Sequence, residues 1–371
     1  MRVAGVVALL MAVGTASWAG QSEAPAPAGA QEHRAAWAAF VAPALAGSEG
    51  ARTAQARQQA FLAAIPHMEA AVAADPENAT YRASLAYICL VAGQYQKALE
   101  ATNRGVELNG RDVLLQVLRG QAEAAMAQMS PEDVGQRIGP ALEAFDEASR
   151  LEADNALPLL QAASVAFDAG RADLAQPRIQ QALARTNCTL YRISVPFDLG
   201  DEPAESISAW QYVQYGFWWG FSARCANVVA GCWRLGAEEE QAGRLAAAEE
   251  RFQWALQVSR KVGLTEPHLF ITVNMAIDLM EDSYGHLVRV AEAQGNDEAE
   301  RWTGESGVVQ IGRGFLLSGL EEYQAQVAEG PPDSIEALLA LENRSVTTVI
   351  DGIGLTEERP VPACAPTGCA P

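Results

Sequence analysis

The chain has 371 residues, 49% of them apolar and 19% charged, with 26 basic against 46 acidic side chains and a formal net charge of −20. Such an excess of acid, with no Lys/Arg cluster, excludes the concentrated positive charge that nucleic acid or an anionic membrane requires, and it favours a basic or polar partner. The apolar share is that of a folded chain, yet the length exceeds the roughly 250–300 residues of a single core, which a repeat array circumvents because each repeat packs only on its neighbours.

In chain order, the first predicted element is a secretory signal peptide over residues 1–19. Arg2 supplies the positive start, Val3 to Val13 an almost unbroken apolar run, and Ser17 and Ala19 the small residues that a signal peptidase reads. The run is too short to span a bilayer, and no later stretch reaches the ~20 apolar residues of a spanning helix. Lysine occurs only at Lys97 and Lys261 beside abundant alanine and glycine. That usage points to a GC-rich bacterial source and, with the signal, to a periplasmic or secreted protein without a membrane anchor. An Ala/Pro/Gly-rich linker over 20–31 follows, and helical sequence starts near Glu32.

A period of about 34 residues then emerges, clearest from Ala79 to Gly110. Leu85, Ala86 and Cys89 share a face of the first helix, Gly93 ends it, and Gln94-Tyr95 forms the turn. Ala98, Leu99, Gly105, Val106 and Leu108 mark the second helix. Asp75-Pro76 closes the preceding unit, whose second helix carries Ala64, Met68, Ala71 and Val72, and Asn78 or Thr80 caps the next helix. These residues resemble the tetratricopeptide repeat: Leu85, Ala86, Gly93, Tyr95, Ala98 and Gly105 match its pattern in register. Weaker units follow. Ala141, Phe145, Ala148 and Leu151 form a second helix whose first helix lies near Asp112 to Gln128. Gly170, Ala175, Ile179, Ala182 and Leu183 belong to a fourth unit, and Leu235, Gly236, Gly243, Ala248, Phe252, Ala255 and Leu256 to a fifth. A further helix pair is expected over Glu266 to Glu300.

The expected fold is all-α, an α-solenoid of antiparallel helix pairs, irregular in the middle and with disordered termini. The N-terminal repeats cover 32–189, an irregular aromatic-rich junction 190–228, a C-terminal repeat region 229–348, and a Pro/Cys-containing tail 349–371. The resemblance implies that a peptide or helix lies in a groove lined by the first helices. Carried over by position, the groove residues are Ser84 and Tyr87 in the clear unit, Gln161 and Ser164 in the fourth, and Trp233, Arg234 and Glu240 in the fifth. Plain solvent-exposed helix surface is the competing reading for each.

The junction holds the most unusual stretch. Residues 206–223 carry no charge before Arg224, and seven aromatics fall between Trp210 and Phe221. As a helix, Tyr212, Tyr215 and Trp219 share a stripe, with Trp218 on the adjoining face. Three readings arise: a buried helix bracing the junction, because a helix apolar nearly all round must be covered; a partner surface, because Trp and Tyr dominate binding hot spots; and a membrane-interface helix, against which the lack of nearby Lys/Arg argues.

Catalytic signals are weak. No phosphate-binding glycine loop, Gly-x-Ser-x-Gly or His-Glu-x-x-His occurs, and no cofactor is called for. Asp282 and His286 stand at i, i+4 as one side of a metal site, and Asp278 with Asp282 as paired carboxylates, but solvated helix surface accounts for both. Arg224 is the one basic neighbour that could activate Cys225. Cys225 and Cys232, seven apart on one helix, would lie about 10 Å apart, beyond the ~7 Å reach of a disulfide. Cys364 and Cys369 flank Ala-Pro-Thr-Gly, a turn that could close a bridge. The reading favoured is an exported protein–protein interaction scaffold. The alternatives are an accessory subunit of an envelope complex docking through 206–223, and an enzyme with its site at the junction.

Overall fold

The computed structural model describes residues 28–46, 53–129, 134–196, 199, 203–329, 332 and 334–352. The expected signal peptide, most of the linker, and Cys364 with Cys369 lie outside these residues. Among the described residues the fold is all-α, without strands. In order the helices are α1 (Ala30–Leu45), α2 (Ala54–Ala74), α3 (Ala79–Val91), α4 (Tyr95–Leu108), α5 (Val113–Gln128), α6 (Val134–Arg137), α7 (Gly139–Leu151), α8 (Leu157–Asp168) and α9 (Ala172–Leu183). Then come α10 (Pro203–Gln241), α11 (Leu245–Gly263), α12 (Phe270–Gln294), α13 (Glu298–Glu329) and α14 (Ile335–Gly352). No helix is long and apolar enough to cross a membrane among the described residues.

Local chemistry sets the hairpins. Asn78 Oδ1 accepts the Tyr81 N–H at 3.1 Å and Asp112 Oδ1 the Leu115 N–H at 3.0 Å, each satisfying an orphan donor at a helix start. Of the two residues expected to cap α3, Asn78 does so. Gly93, Gly170 and Gly243 take φ of 70–72°, a left-handed conformation costly for a residue with a Cβ. At each, the next residue's N–H reaches back to a helix carbonyl (Gln94 to Cys89, Arg171 to Ala166, Arg244 to Glu239), closing the same C-terminal motif three times. Packing then needs small residues. A Cβ on Gly105 would lie 2.7 Å from Leu115, and one on Gly120 2.8 Å from Phe145, so these glycines let α4 meet α5 and α5 meet α7.

Three expectations are corrected. Most of the junction is not irregular: Pro203–Gln241 is one helix of 39 residues. Among the described residues of this region, the stretch from Arg185 to Pro196 is extended. It is pinned by Asn155, whose side chain bonds Thr189 N–H at 3.0 Å and Thr189 C=O at 3.1 Å, and by Leu190 N–H to Glu266 C=O at 2.8 Å. Secondly, Glu266–Glu300 holds one helix of 25 residues, α12, rather than a pair. Met275, Ile277, Met280 and Leu287 are buried along it, with no glycine turn to divide it. Thirdly, helix persists to Gly352, into the expected tail, because Val346, Val349 and Ile350 are buried.

Candidate functional site

The expected groove residues come together, but not on an open surface. Ser84, Gln161 and Ser164 are fully buried and Tyr87 nearly so. What covers them is the chain's own α10, aided by α1. Tyr87 of α3 meets Phe217 edge-on at 4.9 Å, with Phe40 of α1 at 6.0 Å and Trp37 at 6.3 Å. Phe40 in turn meets Tyr212 at 6.2 Å. Gln161 Nε2 donates to the Phe221 carbonyl at 3.2 Å, and a Cβ on Gly231 would lie 2.4 Å from the Phe167 ring. Ser84 Oγ lies 3.3 Å from His33 Nε2. The first-helix face is therefore covered by a helix of the same chain.

The same arrangement bears on the readings of the aromatic stretch and favours the buried helix. Trp210, Tyr215, Phe217, Trp218 and Phe221 are buried, and Tyr212 and Trp219 half-buried. Trp218 donates its indole N–H to the Tyr191 carbonyl at 2.7 Å and packs on Trp210 and Tyr215. Tyr215 hydrogen-bonds the carboxylate of Glu342, whose other oxygen accepts the Phe270 N–H at 3.0 Å. Burial pushes the Glu342 carboxyl up to about 7 against these two donors. Tyr215 and Trp218 cannot reach a partner. Trp219 and Tyr212 show only part of their rings.

The fifth-unit trio is divided among intramolecular contacts. Trp233 Nε1 donates to Ser283 Oγ at 3.0 Å, Arg234 lies over the Phe167 ring at 5.7 Å, and Glu240 forms a two-pronged ion pair with Arg289 at 2.8 and 3.0 Å. His286 does not face a metal set with Asp282: it stacks on Phe252 at 4.6 Å and accepts from Arg289 at 3.0 Å. Asp278 and Glu281 both bind Arg313, at 2.6 and 2.8 Å, so Asp278 belongs to an ion-pair cluster. Among the described residues no three His, Cys, Asp or Glu side chains converge as a metal set. Cys225 and Cys232 are free, buried thiols whose pKa values burial raises, Cys232 to about 12, so Arg224 does not make a thiolate of its neighbour.

An open cleft lies elsewhere among the described residues. A cleft of about 350 Å³ sits between α7 and α9, lined by Asp146, Ser149, Arg150, Arg178, Gln181 and Arg185 over Leu159 and Pro177. Arg178 is held by Asp146 through two bonds at 2.6 and 3.1 Å, and its third nitrogen donates to the Leu174 carbonyl. Arg150 grips Glu147 of its own helix at 2.5 Å. Arg185 donates to Ser149 Oγ at 3.4 Å, and Lys261 of α11 seats its ammonium on the Arg185 carbonyl at 2.5 Å. Three guanidinium groups thus face one carboxylate across the lining, the reverse of the whole-chain balance. Sequence reasoning missed these residues. The available signal was Arg178 and Arg185, seven apart, opposite Arg150 on the preceding second helix. The pairing of two second helices was needed to join them.

No protein-family model matches the chain, and no curated protein matches it.

Proposed function

We propose that this chain is an exported interaction scaffold of tetratricopeptide-like hairpins that holds a carboxylate-bearing protein segment at the arginine cleft between α7 and α9. The cleft carries the reading: it is concave, open, and has local charge opposite to that of a chain at −20. Arginine's planar fork suits carboxylates, and Arg150 and Arg185 sit where an incoming acidic side chain can compete with Glu147 and Ser149 for them. The net charge attracts basic molecules at long range, but contact at the cleft selects acidic ones. The repeat-like residues around Gly93, Gly170 and Gly243 support the scaffold class, and the apolar run Val3–Val13 before Ser17 and Ala19 supports export. Burial of Tyr215 and Trp218 removes the support for docking through the aromatic stretch.

Fluorescence anisotropy with a labelled oligo-glutamate peptide tests the site. Binding should be saturable, weaken with salt, and fall at least about tenfold in Arg150→Glu/Arg185→Glu, about 1.4 kcal/mol or more, with helical circular dichroism unchanged. Equal affinity of the wild type and the double variant would remove the cleft as the binding site.

A further inference from the structure

The α13 helix has two apolar faces. One is buried: Trp302, Val309, Leu316, Leu320 and Tyr323 pack inward, Tyr323 lying 5.6 Å from Phe270. The other is bare. Val308, Ile311 and Phe315 are 42%, 63% and 58% exposed. At about 100° per residue these three fall within about 60° of one another, roughly 120° round from the buried stripe. Scattered exposed apolar residues are ordinary, but a contiguous stripe on one helix marks a contact surface.

Glycine interleaves the stripe. A Cβ on Gly304, Gly307 or Gly314 would meet nothing within 4 Å. This contrasts with Gly105, Gly120 and Gly231, which each receive a side chain from a helix packed against them. Glycine is among the poorest helix formers, and no contact within the chain calls for these three. From Gly307 to Ser318 the only charged residue is Arg313, and it is turned to Asp278 and Glu281. The occupant of this face must therefore be apolar where it touches.

The order of residues says which occupant. About Ile311 the stripe is self-complementary. Three residues either way stand Val308 and Gly314, four either way Gly307 and Phe315, and seven either way Gly304 and Ser318. In every pair that contains a large side chain, the other member is glycine. At the two ends of the same face lie Arg301, already paired with Glu298 and Glu305 of its own helix, and exposed Glu322, opposite in charge. We propose that the outer face of α13 pairs with the same face of a second copy of this chain, antiparallel and two-fold symmetric about Ile311. Phe315 of each copy fills the notch at Gly307 of the other, Val308 fills that at Gly314, and Arg301 comes near Glu322 at the end of the seam. Such a contact is isologous and closes as a dimer. The seam from Gly304 to Ser318 is about 21 Å long at 1.5 Å per residue. One helix pair of that length buries less than the roughly 800 Å² per partner of a standard interface, so the dimer is weak and reversible. Both copies carry the same net negative charge, so added salt strengthens it.

Sedimentation equilibrium of the full chain over a range of concentrations tests this independently of the arginine cleft. The weight-average mass of the wild type should climb toward twice the monomer, and more steeply at higher salt. Ile311→Glu and Phe315→Glu should stay monomeric. Gly314→Leu is the sharper variant: its side chain has free space within one chain, so helicity is kept while the notch for Val308 closes and the dimer is lost. Ile311→Cys, which meets itself across the dyad, should give an oxidised dimer on non-reducing gels above the wild-type background. A wild type monomeric at every concentration overturns the proposal, as does a Gly314→Leu chain that dimerises like the wild type. Two further results would also sink it by naming another occupant: co-sedimentation of the wild type with neutral phosphatidylcholine vesicles that Ile311→Glu abolishes, or dimerisation only after removal of residues 353–371.

Discussion

The hairpins up to α9 and the helices from α11 onward are both fully helical, yet they are built differently. In the first region helices α3 to α9, apart from the single turn α6, run 12–16 residues, and polar caps or a left-handed glycine set many of their ends. In the second they run 18–32 residues, and the glycine motif of the hairpins recurs among their described turns only at Gly295 after α12, where Asn296 N–H reaches back to the Ala291 carbonyl. The difference teaches where specification resides. Short hairpins are fixed by their own turns and by the small residues between neighbours. The long helices are fixed by what they cover. The 39-residue α10 belongs to both: Phe217 and Phe221 serve the hairpins, while Tyr215 reaches Glu342 on α14.

If α10 truly joins the two regions, Trp218→Ala should have the largest effect. It removes a fully buried indole and strands the Tyr191 carbonyl, at a cost of about 3–5 kcal/mol. Urea unfolding followed by circular dichroism should shift as one transition. Two separated transitions would mean that the regions unfold independently.

The regions should also respond oppositely to pH. His33, buried among Trp37, Tyr81 and Ser84, has its pKa lowered by burial from 6.5 to about 4. Trp37 donates to its Nε2, so protonating that nitrogen breaks a bond. The folded pKa lies below the unfolded one, so this stability is present above pH 6.5 and lost as pH falls toward 4, about 3 kcal/mol in all. Glu342 has its pKa raised from 4.5 to about 7. Its contribution is complete below pH 4.5 and lost as pH rises to 7, again about 3 kcal/mol. Thermal melts should therefore show that Glu342→Gln removes a loss of stability between pH 5 and 7.5, whereas His33→Gln flattens the acid side. The contrast fails if Glu342→Gln melts with the wild-type pH slope.

A smaller effect compares glycines. Gly231→Ala drives a methyl group into the Phe167 ring between α10 and α8 and should cost about 1–3 kcal/mol. Gly314→Ala on bare α13 should instead stabilise the monomer by up to about 1 kcal/mol. Similar melting shifts for the two would contradict the packing described. The smallest effect concerns Ser164, whose buried Oγ finds no hydrogen-bond partner. Ser164→Ala should be neutral or stabilising by up to about 1 kcal/mol in chemical denaturation, because it removes an unpaired polar group.

What was legible in the sequence was local. Asn78, Gly93, Gly170 and Gly243 act through the few residues beside them, so their caps and turns could be read without a neighbour. The alternation of small and large residues in Leu85, Ala86, Ala98 and Gly105 likewise needed only helical spacing. The candidate site was not legible. Ser84, Tyr87, Gln161 and Ser164 were identified as a shared face, but burial under α10 is set by a segment about 50 to 130 residues away in sequence. The continuity of that segment was hidden, because an uncharged run of aromatics carries no periodic contrast between faces when nearly all faces are covered. The arginine cleft needed two second helices brought side by side, and the two-faced α13 needed to be shown packed on one side only. By itself, then, the sequence determined the all-helical class and the places where helices cap and turn, since those follow from backbone hydrogen bonding within a few residues. Only the tertiary structure decided that the groove is filled from within and which faces stay open, because burial depends on which distant surfaces meet.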